Sequence, residues 1–351
     1  MKKLWDALKG PIAGVLLSLA VSAALLAFLG ESPFVLLEAL QSTLFTSFGL
    51  GYTLFYATPL IFTGLAVAVC FHCGLFNIGA EGQLYLGSIG IVIIGSLFPN
   101  LPGILALVLG ISAAFLFGGL WGGLAGLLKA KRGSHEVIVT ILLNFVGIAL
   151  VNYLILYPLR NRTVQNPETL EVTAPYFLPT LSDAFGLFES TPVNLALFLA
   201  VLTAVGAFFF LFRTAWGYEL RAVGACNRAS EFAGISVGRN MMLAMFLGGG
   251  LAGMVGVNEV MGHQHKLVEG FSPQYGFTGI AVALLARNHP IGILLSAVLF
   301  GALHNSAREI EFLSDKVSKE LSLVLQGLII AFVASHYLFE HTLKRRKKEA
   351  A

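Results

Sequence analysis

The chain has 351 residues, of which 56% are hydrophobic and 12% charged, with a formal net charge of +3. An ordinary soluble domain carries about 25% charged residues, so there is too little polar surface here to cover a core in water. A soluble enzyme, a disulfide scaffold, a disordered tail and a nucleic-acid binder are excluded, which leaves an all-α polytopic membrane protein with lipid as its solvent.

A spanning helix needs about 20 mostly apolar residues, and about ten such stretches are expected, some of them broken helices. The first is 11–29. Lys2 and Lys3 precede it as in a signal peptide, but its apolar run is too long and lacks a clean small-residue cleavage site, so it is read as a retained span. In the segment 30–48, expected outside, apolar residues at 37, 40, 44 and 48 oppose Glu38, Gln41 and Ser42. That spacing suits a helix lying on the membrane surface. Further spans are expected at 49–71, 84–98, 103–128, 137–156, 193–212, 241–261, 277–286, 291–305 and 321–338. The stretch 277–286 is too short to cross alone; it continues upstream or belongs to a broken helix. Gly118, Gly122 and Gly126 have the small-xxx-small spacing of close helix packing.

Basic residues set the orientation. With both termini cytoplasmic, the inside segments collect Lys2, Lys3, Lys9, Lys129, Lys131, Arg132, Arg213, Arg221, Arg228, Arg239, Arg287 and the basic tail at 344–351. The opposite orientation inverts this bias. One transmembrane domain, 1–351, then carries an outside loop at 157–192 and a cytoplasmic segment at 213–240. In that segment charges of both signs alternate around small apolar residues. Such balance favours a short helix docking on a protein over a polybasic lipid strip.

Polar groups inside a bilayer are costly and mark pathways or packing contacts. Residues 74–84 place Asn77, Glu81 and Gln83 among Gly74, Gly79 and Gly82, between two apolar runs. Two readings stand: a break at membrane depth lining a substrate route, where protein or water satisfies the backbone, or a polar turn at the cytoplasmic face. Asn258 and Glu259 lie deep in a glycine-rich span, followed by His263 and His265. Glu81 and Glu259 are the charged residues left at membrane depth. Asn144 is read either as an interhelical hydrogen-bonding residue or as a route residue, as are His304 and Asn305.

Enzyme chemistry is not expected. His263 and His265 lack a carboxylate partner at metal-ligand spacing, and Cys70 and Cys73 read as small apolar packing. His135-Glu136 starts like a zinc-protease helix but lacks the second histidine, and there is no P-loop and no G-x-S-x-G elbow. No catalytic residue, metal or cofactor is assigned to this chain. A short repeat is present: Phe62-Thr-Gly-Leu-Ala-Val-Ala-Val69 matches Phe277-Thr-Gly-Ile-Ala-Val-Ala-Leu284 at six of eight positions. Duplicated halves with interrupted helices are the organisation of a transporter.

Four ordered segments resemble one family. Gly74 to Gln83 (GLFNIGAEGQ), Ser134 to Asn144 (SHEVIVTILLN), Gly217 to Ile235 (GYELRAVGACNRASEFAGI) and Tyr275 to Pro290 (YGFTGIAVALLARNHP) are similar to permease subunits of bacterial ABC importers. The group includes branched-chain amino acid, ribose and nucleoside permeases, and the nearest subgroup works with a lipoprotein of the basic-membrane-protein type. Cys70-Phe-His-Cys73 departs from the pattern, because a basic residue commonly precedes the first motif. The resemblance implies an inner-membrane subunit that moves a nucleoside or simple sugar. It implies an ATPase partner holding ATP and Mg, a second homologous permease, and a lipid-anchored or periplasmic receptor. Candidate substrate contacts are Phe76, Asn77, Glu81, Gln83, Asn144 and Glu259. By the same resemblance the cytoplasmic loop receives the ATPase's movement, through Glu219, Arg221, Ala222, Gly224, Asn227, Arg228, Glu231 and Gly234. The alternative is a secondary transporter or channel driven by an ion gradient.

Overall fold

The structure, a computed structural model, describes residues 34–313 continuously and positions 20, 21, 23, 24, 27, 32 and 327 singly. The expected spans at 11–29 and 321–338 and the tail at 344–351 fall outside the continuous stretch. In chain order the helices are α1 (Phe34–Phe45), α2 (Ser47–His72), α3 (Ala80–Leu97), α4 (Gly103–Arg132), α5 (Glu136–Leu156), the short α6 (Leu181–Phe185), α7 (Ala196–Arg213), α8 (Ala215–Ala225), α9 (Asn227–Phe232), α10 (Val237–Gly253), α11 (Tyr275–Leu285) and α12 (Pro290–Leu313). Beyond α10 the chain continues as a wider π-helical turn, Val257–Gln264. Among the described residues seven helices are long and apolar enough to cross a membrane, and Tyr275–Leu285 is a shorter apolar helix. These eight correspond to the eight stretches expected within the described region.

The chain divides into two units, Met1–Tyr56 with Val298–Ala351, and Ala57–Ala297. In the first, polar contacts join α1 and the start of α2 to the end of α12. Ser42 Oγ donates to the Glu309 carboxylate at 3.0 Å, and Asn305 Nδ2 donates to the Gly49 carbonyl at 3.0 Å. The Arg308 guanidinium lies 3.9 Å from the Tyr52 ring centre. Asn305 thus acts as an interhelical hydrogen-bonding residue. Thr46 breaks α1 from α2, its Oγ1 accepting the Gly49 N–H at 2.9 Å as an N-cap does.

In the second unit α4 and α10 pack over the greatest length. A methyl group on Gly122 would come 2.9 Å from Gly249 Cα, and one on Gly126 would come 2.9 Å from Met242 Cα. The two backbones touch, so van der Waals contact does here what hydrophobic burial does in water. The expected glycine ladder is this contact. Gly133, with φ +65° and its N–H on the Lys129 carbonyl, ends α4 in the left-handed cap that glycine allows.

Two elements differ from expectation. The span expected at 84–98 begins at Ala80, so Glu81 and Gln83 belong to the first turn of α3 rather than to a link before it. Neighbouring side chains bury that turn and satisfy it, which outweighs its polar sequence. The span expected as one regular helix over 241–261 instead widens into the π turn at Asn258 and Glu259.

Candidate functional site: two helices that begin inside the membrane

Gly122 lies ten residues from the end of α4, about 15 Å along the helix, within a hydrocarbon layer about 30 Å thick. A methyl there would lie 3.2 Å from Gln83 Nε2, which places the first turn of α3 inside the hydrocarbon layer rather than beyond it. Of the two readings open for 74–84, this geometry is the break at depth. A helix start leaves up to four backbone N–H groups unpaired, and lipid cannot satisfy them.

Two of the candidate amides meet this requirement, and a third, Gln83, braces one of them. Asn144, from α5, accepts the Gly82 N–H at 2.7 Å and donates to the Ile78 carbonyl at 2.8 Å. Asn77 Oδ1 accepts the Gly79 N–H at 3.0 Å and Gln83 Nε2 at 3.0 Å. Asn77 Nδ2 returns a bond to Gln83 Oε1 at 2.9 Å. All three side chains are buried. Phe76 is half-buried, edge-on to Phe71 with ring centres 5.1 Å apart.

Helix α11 begins at the same level, against α3. The buried Glu81 carboxylate accepts the Gly276 N–H at 2.7 Å, where the positive end of a helix favours an anion. Gly276 has no room for a side chain, because a Cβ there would overlap the Glu81 main chain. Ser272 Oγ accepts the Tyr275 N–H at 3.2 Å.

The π turn brings the second carboxylate to the same place. Asn194, just before α7, donates to Asn258 Oδ1 at 3.2 Å. Asn258 donates to Glu259 Oε1 at 3.2 Å, and Glu259 shares a hydrogen bond with the Tyr275 side chain. Wide turns of this kind are concentrated at functional sites. The two acidic residues, far apart in sequence, therefore converge on the first two residues of α11.

Asn194 and Ser272 carry no expectation from the sequence, and Tyr275 and Gly276 open the last of the four resembling segments without being candidate contacts. Asn194 and Ser272 are residue types that favour helix starts, the signal that could have found them. Among the described residues no three His, Cys, Asp or Glu side chains gather as a metal site.

On the cytoplasmic side the candidate coupling residues separate into two groups. Glu219 accepts Asn240 Nδ2 at 3.2 Å, and Arg221 Nε donates to the Leu211 carbonyl at 2.9 Å. Ala222 is half-buried on α8, and Gly224 lies against Gly74, where a side chain would meet its backbone. Asn227, Arg228 and Glu231 are exposed on α9, Phe232 is 94% exposed, and Gly234 turns the chain at φ +79°.

A ring stack links α8 to the far end of α11. The Arg221 guanidinium lies 5.1 Å from the Phe212 ring centre, and Phe212 stacks on His289 at 5.8 Å. His72 Nε2 donates to the Asn288 carbonyl at 3.1 Å. Arg287 and Asn288, both at positive φ, form the tight turn from α11 to α12.

Helices interrupted inside the membrane, backed by short helices on the cytoplasmic face, define the chain as a membrane transport protein. Residues 49–334 match the family described as branched-chain amino acid transport system / permease component, and the chain belongs to that family. It is 37% identical to the guanosine ABC transporter permease protein NupP of Bacillus subtilis, covering 97% of each chain. It is 33% identical to the glucose ABC transporter permease protein TsgB13 of Haloferax volcanii, over 96% of this chain and 89% of the relative. Against the nucleoside ABC transporter permease protein NupB of Lactococcus lactis it is 32% identical, over 96% and 93%. The same three organisms each contain a second, less similar relative, 27% or 28% identical. The protein is thus a multi-pass inner-membrane transport subunit, of a kind that works with a separate ATPase and a substrate-binding protein.

Proposed function

We propose that this chain is the permease through which a nucleoside, or a related simple sugar, crosses the inner membrane. The observation that carries the reading is its near end-to-end similarity to relatives named for guanosine and nucleoside transport. The polar residues at the starts of α3 and α11 suit such a solute, since amides and carboxylates bond sugar hydroxyls and base edges. Phe76 offers a ring for a base, while Asn77, Gln83 and Asn144 hold the helix starts around the route. Glu81 and Glu259 release or take up the first turn of α11 as the route opens and closes. No cofactor is bound by this chain; ATP and Mg belong to the ATPase.

The ATPase docks on the exposed face of α9, and α8 carries its movement inward. The paired relatives in three organisms support a heterodimer with a second permease, and a lipid-anchored or periplasmic receptor delivers the solute. Uptake competition in proteoliposomes holding the whole importer tests the reading. Nucleosides should displace labelled guanosine, and displacement by amino acids alone would overturn it. Transport by the chain without its ATPase, driven by an ion gradient, would restore the secondary-transporter alternative.

A further inference from the structure

A groove of about 370 Å³ opens between α4, α8 and α10, lined by Gly123, Trp216, Arg239, Met242, Leu243 and Phe246. Its lining is graded by depth. Arg239 is in the first turn of α10, level with the last turn of α4, because Gly238 packs on Ala130 (a methyl on Gly238 would come 3.5 Å from Ala130 Cβ). Gly123 lies nine residues from the end of α4, about 13 Å deeper. The cationic end of the groove therefore sits at the cytoplasmic boundary, and its apolar end reaches into the hydrocarbon layer. Trp216 is exposed at that boundary, the level indole rings favour.

Positive charge gathers at the shallow end. Lys131 and Arg132 end α4 directly after Ala130, which packs on Gly238, the neighbour of Arg239. Lys129 is already paired with Glu136 at 2.8 Å, whereas among the described residues Lys131 and Arg239 form no ion pair. Glu219 also lines the groove, hydrogen-bonded by Asn240 at 3.2 Å, so one negative charge stands against the cations Lys131, Arg132 and Arg239. Cations at the boundary above an apolar channel match a phosphate head and an acyl chain. A soluble ATPase cannot fill the deep end, which lies in lipid.

We infer that the groove seats one anionic phospholipid, its phosphate on Arg239 and Lys131 and an acyl chain along Gly123 and Phe246. The lipid then ties the Trp216 face of α8 to the inner leaflet. This holds whichever solute the permease carries.

The test places the full chain in nanodiscs of equal phosphatidylglycerol and phosphatidylcholine, and native mass spectrometry reads the lipid retained. Wild type should keep phosphatidylglycerol preferentially. Arg239→Gln should lower that preference about fivefold, the effect of one basic residue at a membrane surface. Gly123→Leu should lose both lipids with its thermal melt unchanged. Equal retention of the two lipids by wild type, or an unchanged preference in Arg239→Gln, overturns the proposal. Efficient cross-linking of Met242→Cys to a second permease in membranes would also overturn it, by giving the groove to a protein.

Discussion

The Glu81 carboxylate accepts the main-chain N–H of Gly276 at 2.7 Å, across 195 positions of sequence. One side chain thus fixes the first turn of one interrupted helix against the first turn of another. Replacing it with alanine leaves a buried N–H unpaired, a loss of about 1–3 kcal/mol. Glu81→Ala should melt at lower temperature and lose most uptake, while the chain still inserts. Glu81→Gln keeps an acceptor and should retain most of the stability. Thermal melts in detergent, beside uptake by the assembled importer, separate the two effects. Unaltered uptake in Glu81→Ala would remove the residue from the route.

That contact shows what the sequence can and cannot reveal. Glu81 and Glu259 stood out because charge at membrane depth is costly, and runs of about 20 apolar residues located the spans. Their convergence was not readable, because it depends on where Tyr275 and Gly276 fall after an outer loop of no regular pattern. The π turn was equally hidden, since the apolar run through 241–261 reads as a regular helix. Asn194 looked like the ordinary edge of a span. Its partner, Asn258, is presented to it only because the helix widens there.

Asn144 makes the same kind of prediction from the other side of α3. Asn144→Leu strips partners from both the Gly82 N–H and the Ile78 carbonyl, in surroundings where lipid offers none. A loss of about 2 kcal/mol or more is expected. Asn144→Asp keeps the acceptor for Gly82 and should melt between wild type and the leucine variant. If the leucine variant melts like wild type, α3 does not depend on this cap.

The contact between α4 and α10 admits no side chain at its centre. Gly249→Val would drive two methyl groups into the α4 backbone beside Gly118 and Gly122. Overpacking of this kind costs about 1–3 kcal/mol. The expected result is a folded but less stable protein whose amide exchange rises along both helices. Gly103, where an added Cβ meets nothing within 4 Å, is the control: Gly103→Ala should leave stability unchanged.

The outer end of the π turn carries a pH dependence. His265 stacks face to face on Phe177, ring centres 3.7 Å apart. Burial holds its imidazole below the ordinary histidine value of 6.5, against the opposing pull of Glu171. A group whose pKa is depressed by the closed structure binds protons more readily when that structure opens. The closed form is therefore favoured above about pH 6.5 and weakens as pH falls below it. Amide protection factors over 261–268, taken relative to the intrinsic exchange rate at each pH, should fall between about pH 6.5 and 5 in wild type and much less in His265→Gln.

Movement at α8 has a packed path to α11. Arg221 presses on Phe212, Phe212 stacks on His289, and His289 ends the turn that closes α11, whose first residues hold Glu81 and Glu259. A push on α8 thus meets a stack of rings, which resists compression better than a flexible side chain would. Arg221→Ala removes the cation above the ring, worth about 0.5–2 kcal/mol, and frees the Leu211 carbonyl. It should leave the ATPase bound and hydrolysing while uptake per ATP falls. Phe212→Leu should do the same, because it keeps apolar volume but loses the stack, and Phe212→Tyr should restore coupling. Wild-type uptake per ATP in both disruptive variants would show that movement reaches α11 by another path.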